Sequence, residues 1–105
     1  MSAPVPGLED VDVDAPVGTI VPAVVDGAAM AVVRHDAGWT MVEDRCPHGA
    51  CPFSLDGEVF DGTVLACNCH GSEFDLDTGS VLLGPAEQAL EVVALRVRDG
   101  RLSSP

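Results

Sequence analysis

The chain alternates short apolar runs with turn signals and carries no stretch of sustained helical period. Thr19 to Val25 is rich in β-branched residues, and Pro22 within it predicts an edge strand or a bulge. Asp26-Gly27 is a strong turn signal. Met30 to His35 and Trp39 to Glu43 then read as a hairpin around Asp36-Ala37-Gly38. Val11 and Val13 alternate with Asp10, Asp12 and Asp14, the period of an edge strand. Further short strands are predicted at Glu58 to Phe60 and Thr63 to Ala66, turned at Asp61-Gly62. Ala89 to Val97 is a long β-branched run, and Asp99-Gly100 turns it back onto Arg101-Leu102. Gly84-Pro85 breaks any helix, and Pro85 to Leu90 offers at most one turn. Eight or more short strands define an all-β chain, a small antiparallel barrel or sandwich. Residues 45–87 stand apart as a subdomain of loops and short strands.

Composition narrows this picture. A length of 105 residues accommodates one domain, residues 1–105, and no second core. Aromatics are 4% of residues against 47% hydrophobic, so valine, leucine and alanine must build the core. Seventeen acids oppose five arginines, and the net charge is −12. That balance excludes an electrostatic grip on nucleic acid and on an anionic membrane surface. A partner that docks here presents positive charge. The longest apolar runs, Ile20 to Val25 and Ala28 to Val33, fall far short of the roughly twenty residues a bilayer span needs. The acidic, proline-rich start lacks the features of a secretory signal. The expectation is a soluble, cytoplasmic monomer.

The chemistry concentrates in two strings, Cys46-Pro47-His48-Gly49-Ala50-Cys51 and Cys67-Asn68-Cys69-His70-Gly71-Ser72. Each places a cysteine near a histidine. Eighteen residues separate His48 from Cys67, most of them in a predicted hairpin whose ends return to one place. Clustered Cys and His in a cytosolic chain suggest a metal before they suggest disulfides. Zinc pincers usually place two to four spacers between ligands. The single spacer of Cys46-Pro47-His48 holds its two side chains apart, which suits a two-iron cluster better. Zinc at the same residues, as a zinc-stabilised binding module, stays open at this point. No nucleophile, acid–base pair or substrate pocket is visible, so no catalytic residue is assigned.

The strings resemble the C-x-H and C-x-x-H boxes of Rieske [2Fe–2S] proteins, in which a histidine pair replaces a cysteine pair on one iron. The resemblance covers residues 45–86 specifically and the rest by strand pattern and length. It implies one [2Fe–2S] cluster held by Cys46, His48, Cys67 and His70. It implies a disulfide between Cys51 and Cys69, the pair that bridges the cluster loops in one branch of the family. Gly71 and Ser72 match the residues after the second box, Gly79 fits the D-x-x-T-G turn, and Gly84-Pro85-Ala86 resembles the Pro loop that covers the cluster. The small antiparallel fold with a cluster-binding subdomain is the family's. Quinol-oxidising members have a tyrosine at the position of Phe74 and a membrane anchor; this chain has no tyrosine.

The small soluble Rieske ferredoxins match the length. The function implied is transfer of single electrons from an NAD(P)H-dependent flavoprotein reductase to a terminal ring-hydroxylating oxygenase. The alternative is a small redox subunit of a complex such as arsenite oxidase or nitrite reductase. The exposed tip is expected from His48, Gly49, Ala50, His70, Gly71 and Gly84-Pro85. Ser72 is expected to offer its hydroxyl to a bridging sulfide. His35 is expected to be a solvated turn residue, and Trp39 a core or rim aromatic. Glu58, Asp61, Glu73, Asp75 and Asp77 are close to the cluster in sequence and are expected to help steer a partner.

Overall fold

In the computed structural model, residues 3–47, 49 and 51–105 are described. Two sheets form. The basal sheet has five strands, β1 (Ile20–Val25), β2 (Ala28–His35), β3 (Gly38–Glu43), β8 (Val93–Arg98) and β9 (Arg101–Ser103), in that order. The second sheet contains β4 (Gly57–Phe60), β5 (Val64–Cys67), β6 (Ser72–Asp75) and β7 (Val81–Leu83), also in chain order. Every pairing is antiparallel.

The basal meander follows from its turns. Asp26 and Gly27 both take positive φ, the left-handed geometry that a two-residue hairpin demands. Pro22 is tolerated because β1 is an edge. β2 explains the unbroken apolar run Ala28 to Val33. Ala31 and Val33 enter a core shared with the second sheet, while Val32 on the opposite face enters a core with Trp39, Met41, Leu95 and Leu102. A strand covered on both faces has no polar side to show.

Several expectations need correction. Val11 and Val13 form no strand; they are partly buried and pack against the Trp39 core, and the Trp39 indole N–H donates to the Val13 carbonyl. Their alternation reflects a segment laid over a core rather than ladder pairing. The strand expected over Ala89 to Val97 starts only at Val93, because Leu90 and Val92 pack into the other core. A one-turn helix α1 (Phe53–Asp56) was not anticipated. Ser54 holds it in place, its amide and hydroxyl both donating to the Asp44 carboxylate at 2.8 and 2.5 Å.

Candidate metal centre

The second sheet brings the two cysteine–histidine strings to one end. Register places Gly57 opposite Cys67 and Cys67 opposite Ser72, while Phe60, Val64 and Asp75 meet at the other end. The first string leaves β3 and is closed by the Cys46 amide donating to the Cys51 carbonyl at 2.8 Å. The second is closed by the Gly71 amide donating to the Cys67 carbonyl at 2.8 Å. Gly71 takes φ +83°, which a side chain would oppose. Beneath the loops Phe53 and Phe74 meet edge to face, centroids 6.0 Å apart. Phe74 therefore serves the core.

Cys46 and Cys67 are buried at 1% and 0% exposure, and Cys46 is close enough to act on the Cys67 thiol. Burial pushes the Cys67 thiol up, while the amides of Cys69 and His70 donate to its sulfur and oppose that shift. His70 is exposed. Cys51 and Cys69 are joined by a disulfide, S–S 2.05 Å, which staples one loop to the other. His70 lies against it, its ring nitrogen and the two bridge sulfurs all within 4.8 Å of one another. Those sulfurs are bonded to each other, so this trio locates the ring and is not itself a metal site.

Gly49 makes the loop contact possible. A Cβ there would stand 2.8 Å from the His70 ring carbon Cε1 and 2.9 Å from Nδ1. Any larger residue would push the loops apart. From a third side the Pro loop is tied in by the Ala86 amide, which donates to the buried Ser72 hydroxyl oxygen at 3.0 Å. Gly84 and Pro85 are exposed, as are Gly49 and Gly71. His48 and Ala50 lie outside the described residues.

Two buried, mutually facing thiols beside an exposed imidazole suit a cluster of mixed ligation better than zinc. The thiolates sit in an apolar, amide-lined recess, and the histidine edge meets solvent. The Rieske [2Fe-2S] domain matches residues 5–94. The chain belongs to the Rieske [2Fe–2S] family. A Rieske relative, the 3-phenylpropionate/cinnamic acid dioxygenase ferredoxin subunit of Photorhabdus laumondii, is 33% identical over 73 residues, covering 70% of this chain and 69% of its own. The Sphingomonas yanoikuyae B1 ferredoxin superposes with a TM-score of 0.77 at 24% identity, over 99% and 97% of the two chains. A chain from the complex of reduced oxygenase and oxidised ferredoxin in carbazole 1,9a-dioxygenase gives 0.74 at 30% identity, over 97% of each. The all-β Rieske architecture and the [2Fe–2S] cofactor expected from the sequence are thus borne out, and so is the Cys51–Cys69 pair.

Other residues stand elsewhere than expected. His35 is not solvated. It is 3% exposed, with Nε2 2.6 Å from the Thr40 hydroxyl and Nδ1 accepting from the Ala37 amide at 3.3 Å. That pairing fixes a neutral ring with its proton on Nε2. Desolvation holds its pKa below the usual histidine value; Arg34 adds to this, and Asp77, Asp36 and Asp75 oppose it. The alternation Ala31, Val33, His35 along one face of β2 carried the signal of burial. Asp61, Asp75 and Asp77, close to the cluster strings in sequence, lie at the end of the second sheet away from Cys67.

Proposed function

We propose that this protein is a one-electron carrier, a Rieske ferredoxin that takes electrons from an NAD(P)H-dependent flavoprotein reductase and delivers them to a terminal ring-hydroxylating oxygenase. Cys46 and Cys67 would hold one iron of the cluster, and His48 and His70 the other. The observation that carries the reading is the asymmetry of the site: thiols buried at 1% and 0%, His70 exposed on a tip of small residues. When bound, the cluster supplies a one-electron couple.

The chain's own groups set the rest. Amides of Cys69 and His70 direct partial positive charge at the Cys67 sulfur, which favours the more negative reduced state. The Ser72 hydroxyl accepts from Ala86 and keeps its own hydrogen free to donate toward a sulfide. Gly49 and Gly71 present little bulk beside His70, so a partner approaches the imidazole edge closely. Small transient contacts of this kind exchange quickly. The relatives' names, ferredoxin subunit of a dioxygenase among them, support the oxygenase as the acceptor. No helix among the described residues is long and apolar enough to cross a membrane. We place the protein in the cytoplasm as a soluble monomer.

The test is reconstitution with a flavoprotein reductase and a ring-hydroxylating oxygenase of the relatives' class. Substrate hydroxylation that depends on this protein, and is lost on replacing His70 with Ala, is the expected result. A protein that copurifies in a fixed complex and fails to exchange electrons as a free monomer contradicts the carrier role.

A further inference from the structure

The seam between β3 and β8 stops early. The two strands pair through Trp39–Leu95, Thr40–Ala94 and Met41–Val93, and no further. Beyond Met41 one chain turns toward the first cysteine string; before Val93 the other arrives from the Pro loop. The fork opens a cleft of about 530 Å³. Met30, Pro47 and Leu90 give it apolar lining, Glu43 and Glu91 give it carboxylates, and Arg45 stands among them. Glu43, Arg45 and Glu91 are exposed.

We propose that this cleft receives a lysine or arginine side chain of the redox partner and so orients the partner over the cluster end. This rests on the carrier reading above. Pro47, which lines the cleft, lies between Cys46 and His48 in the chain, so the cleft borders the first cysteine string. A cation with a long aliphatic stem fits such a lining, its methylenes on Met30, Pro47 and Leu90 and its head between the two carboxylates. The net charge of −12 selects cationic partners. The second cavity, about 510 Å³ at the far end, is lined by Arg34 and Arg96 against the one carboxylate of Asp36, the opposite charge balance, and suits such a head poorly. Arg45 beside the two carboxylates limits where a cation settles.

The test separates position from net charge. Glu43→Gln with Glu91→Gln and Asp61→Asn with Asp99→Asn each remove two exposed acids, the latter pair from turns at the far end. The probe is cytochrome c, a basic redox protein, titrated calorimetrically into the oxidised holoprotein, with the electron-transfer rate from the reduced form measured alongside. At low salt the cleft pair weakens binding about fivefold, the effect of losing two partly exposed ion pairs. The far pair stays within about twofold of wild type, and the difference closes as salt screens it. Arg45→Gln tightens binding. Equal weakening by both pairs, or weaker binding by Arg45→Gln, overturns the cleft. A wild-type protein that binds cytochrome c at the cleft but never reduces it overturns the carrier reading and leaves the cleft standing.

Discussion

The two sheets reach order by different means. In the basal sheet β1 and β2 pair over six residues without a slip, as do β2 and β3, and β2 is covered on both faces. Apolar burial and register suffice there. The second sheet has strands of three or four residues and a register shift between Glu73 and Phe74. Strands that short hold little on their own. Cross-links compensate: the Cys51–Cys69 bridge, the Ala86–Ser72 hydrogen bond, and the Asp36 amide donating to the Gly62 carbonyl at 2.8 Å, which ties the far end to the basal hairpin. The basal sheet rests on long ladders and packing; the second sheet, whose Leu65 and Phe74 share one core with it, adds cross-links at both of its ends.

The strongest way to break this comparison is to remove a thiol. Cys67→Ala is expected to abolish the cluster, bleaching the visible spectrum and the reduced EPR signal. Hydrogen-exchange protection should then fall in β4 to β7 and persist at Ala31, Val32 and Val42. Uniform loss in both sheets would erase the distinction. Removing the bridge by Cys51→Ala with Cys69→Ala comes next. The pair lies 18 positions apart in the chain, a loop whose closure contributes about 3 kcal/mol on chain-entropy grounds. Urea midpoints of holoprotein and variant check it, and unchanged midpoints would show that the cluster alone joins the loops.

Ser72→Ala should lower the reduction potential by tens of millivolts, because one neutral hydrogen bond is worth about 1 kcal/mol. A shifted midpoint with an intact EPR spectrum is the expected outcome; an unmoved midpoint leaves Ser72 a tether for Ala86 only. The smallest effect sharpens the comparison at the far end. His35 is depressed below the ordinary histidine pKa of about 6.5 in the folded state. The unfolded chain therefore binds more protons in that window, and stability rises with pH through it. The contribution is full above about pH 6.5 and lost as pH falls toward the lowered folded value. Urea midpoints across that range should slope less for His35→Gln than for wild type, and parallel curves would contradict a buried neutral ring.

The regular sheet was readable because its determinants are local. Asp26-Gly27, Asp36 to Gly38 and Asp99-Gly100 mark turns by residue type, and the runs between them are strands. What misled was apolar sequence serving a core without joining a ladder. Val11 and Val13 cover Trp39, and Leu90 and Val92 reach across to the second sheet. Neither use differs from a strand in pattern. The site was legible through the spacing of its cysteines and histidines and through the family resemblance they carry. Its electrostatic surroundings were not. Asp61 and Asp77 are close to the cluster strings in sequence but sit at the remote end. Glu43 and Glu91 are distant from each other in sequence and meet only because β3 and β8 diverge.

The most direct test of the central claim is pulsed EPR on the reduced protein, prepared with 15N-labelled histidine. Mixed ligation by Cys46, Cys67, His48 and His70 predicts one unpaired spin per two irons, coupled to two imidazole nitrogens, with one coupling lost or altered in His70→Ala. A colourless zinc protein, or a cluster whose spin couples to no histidine nitrogen, would contradict it.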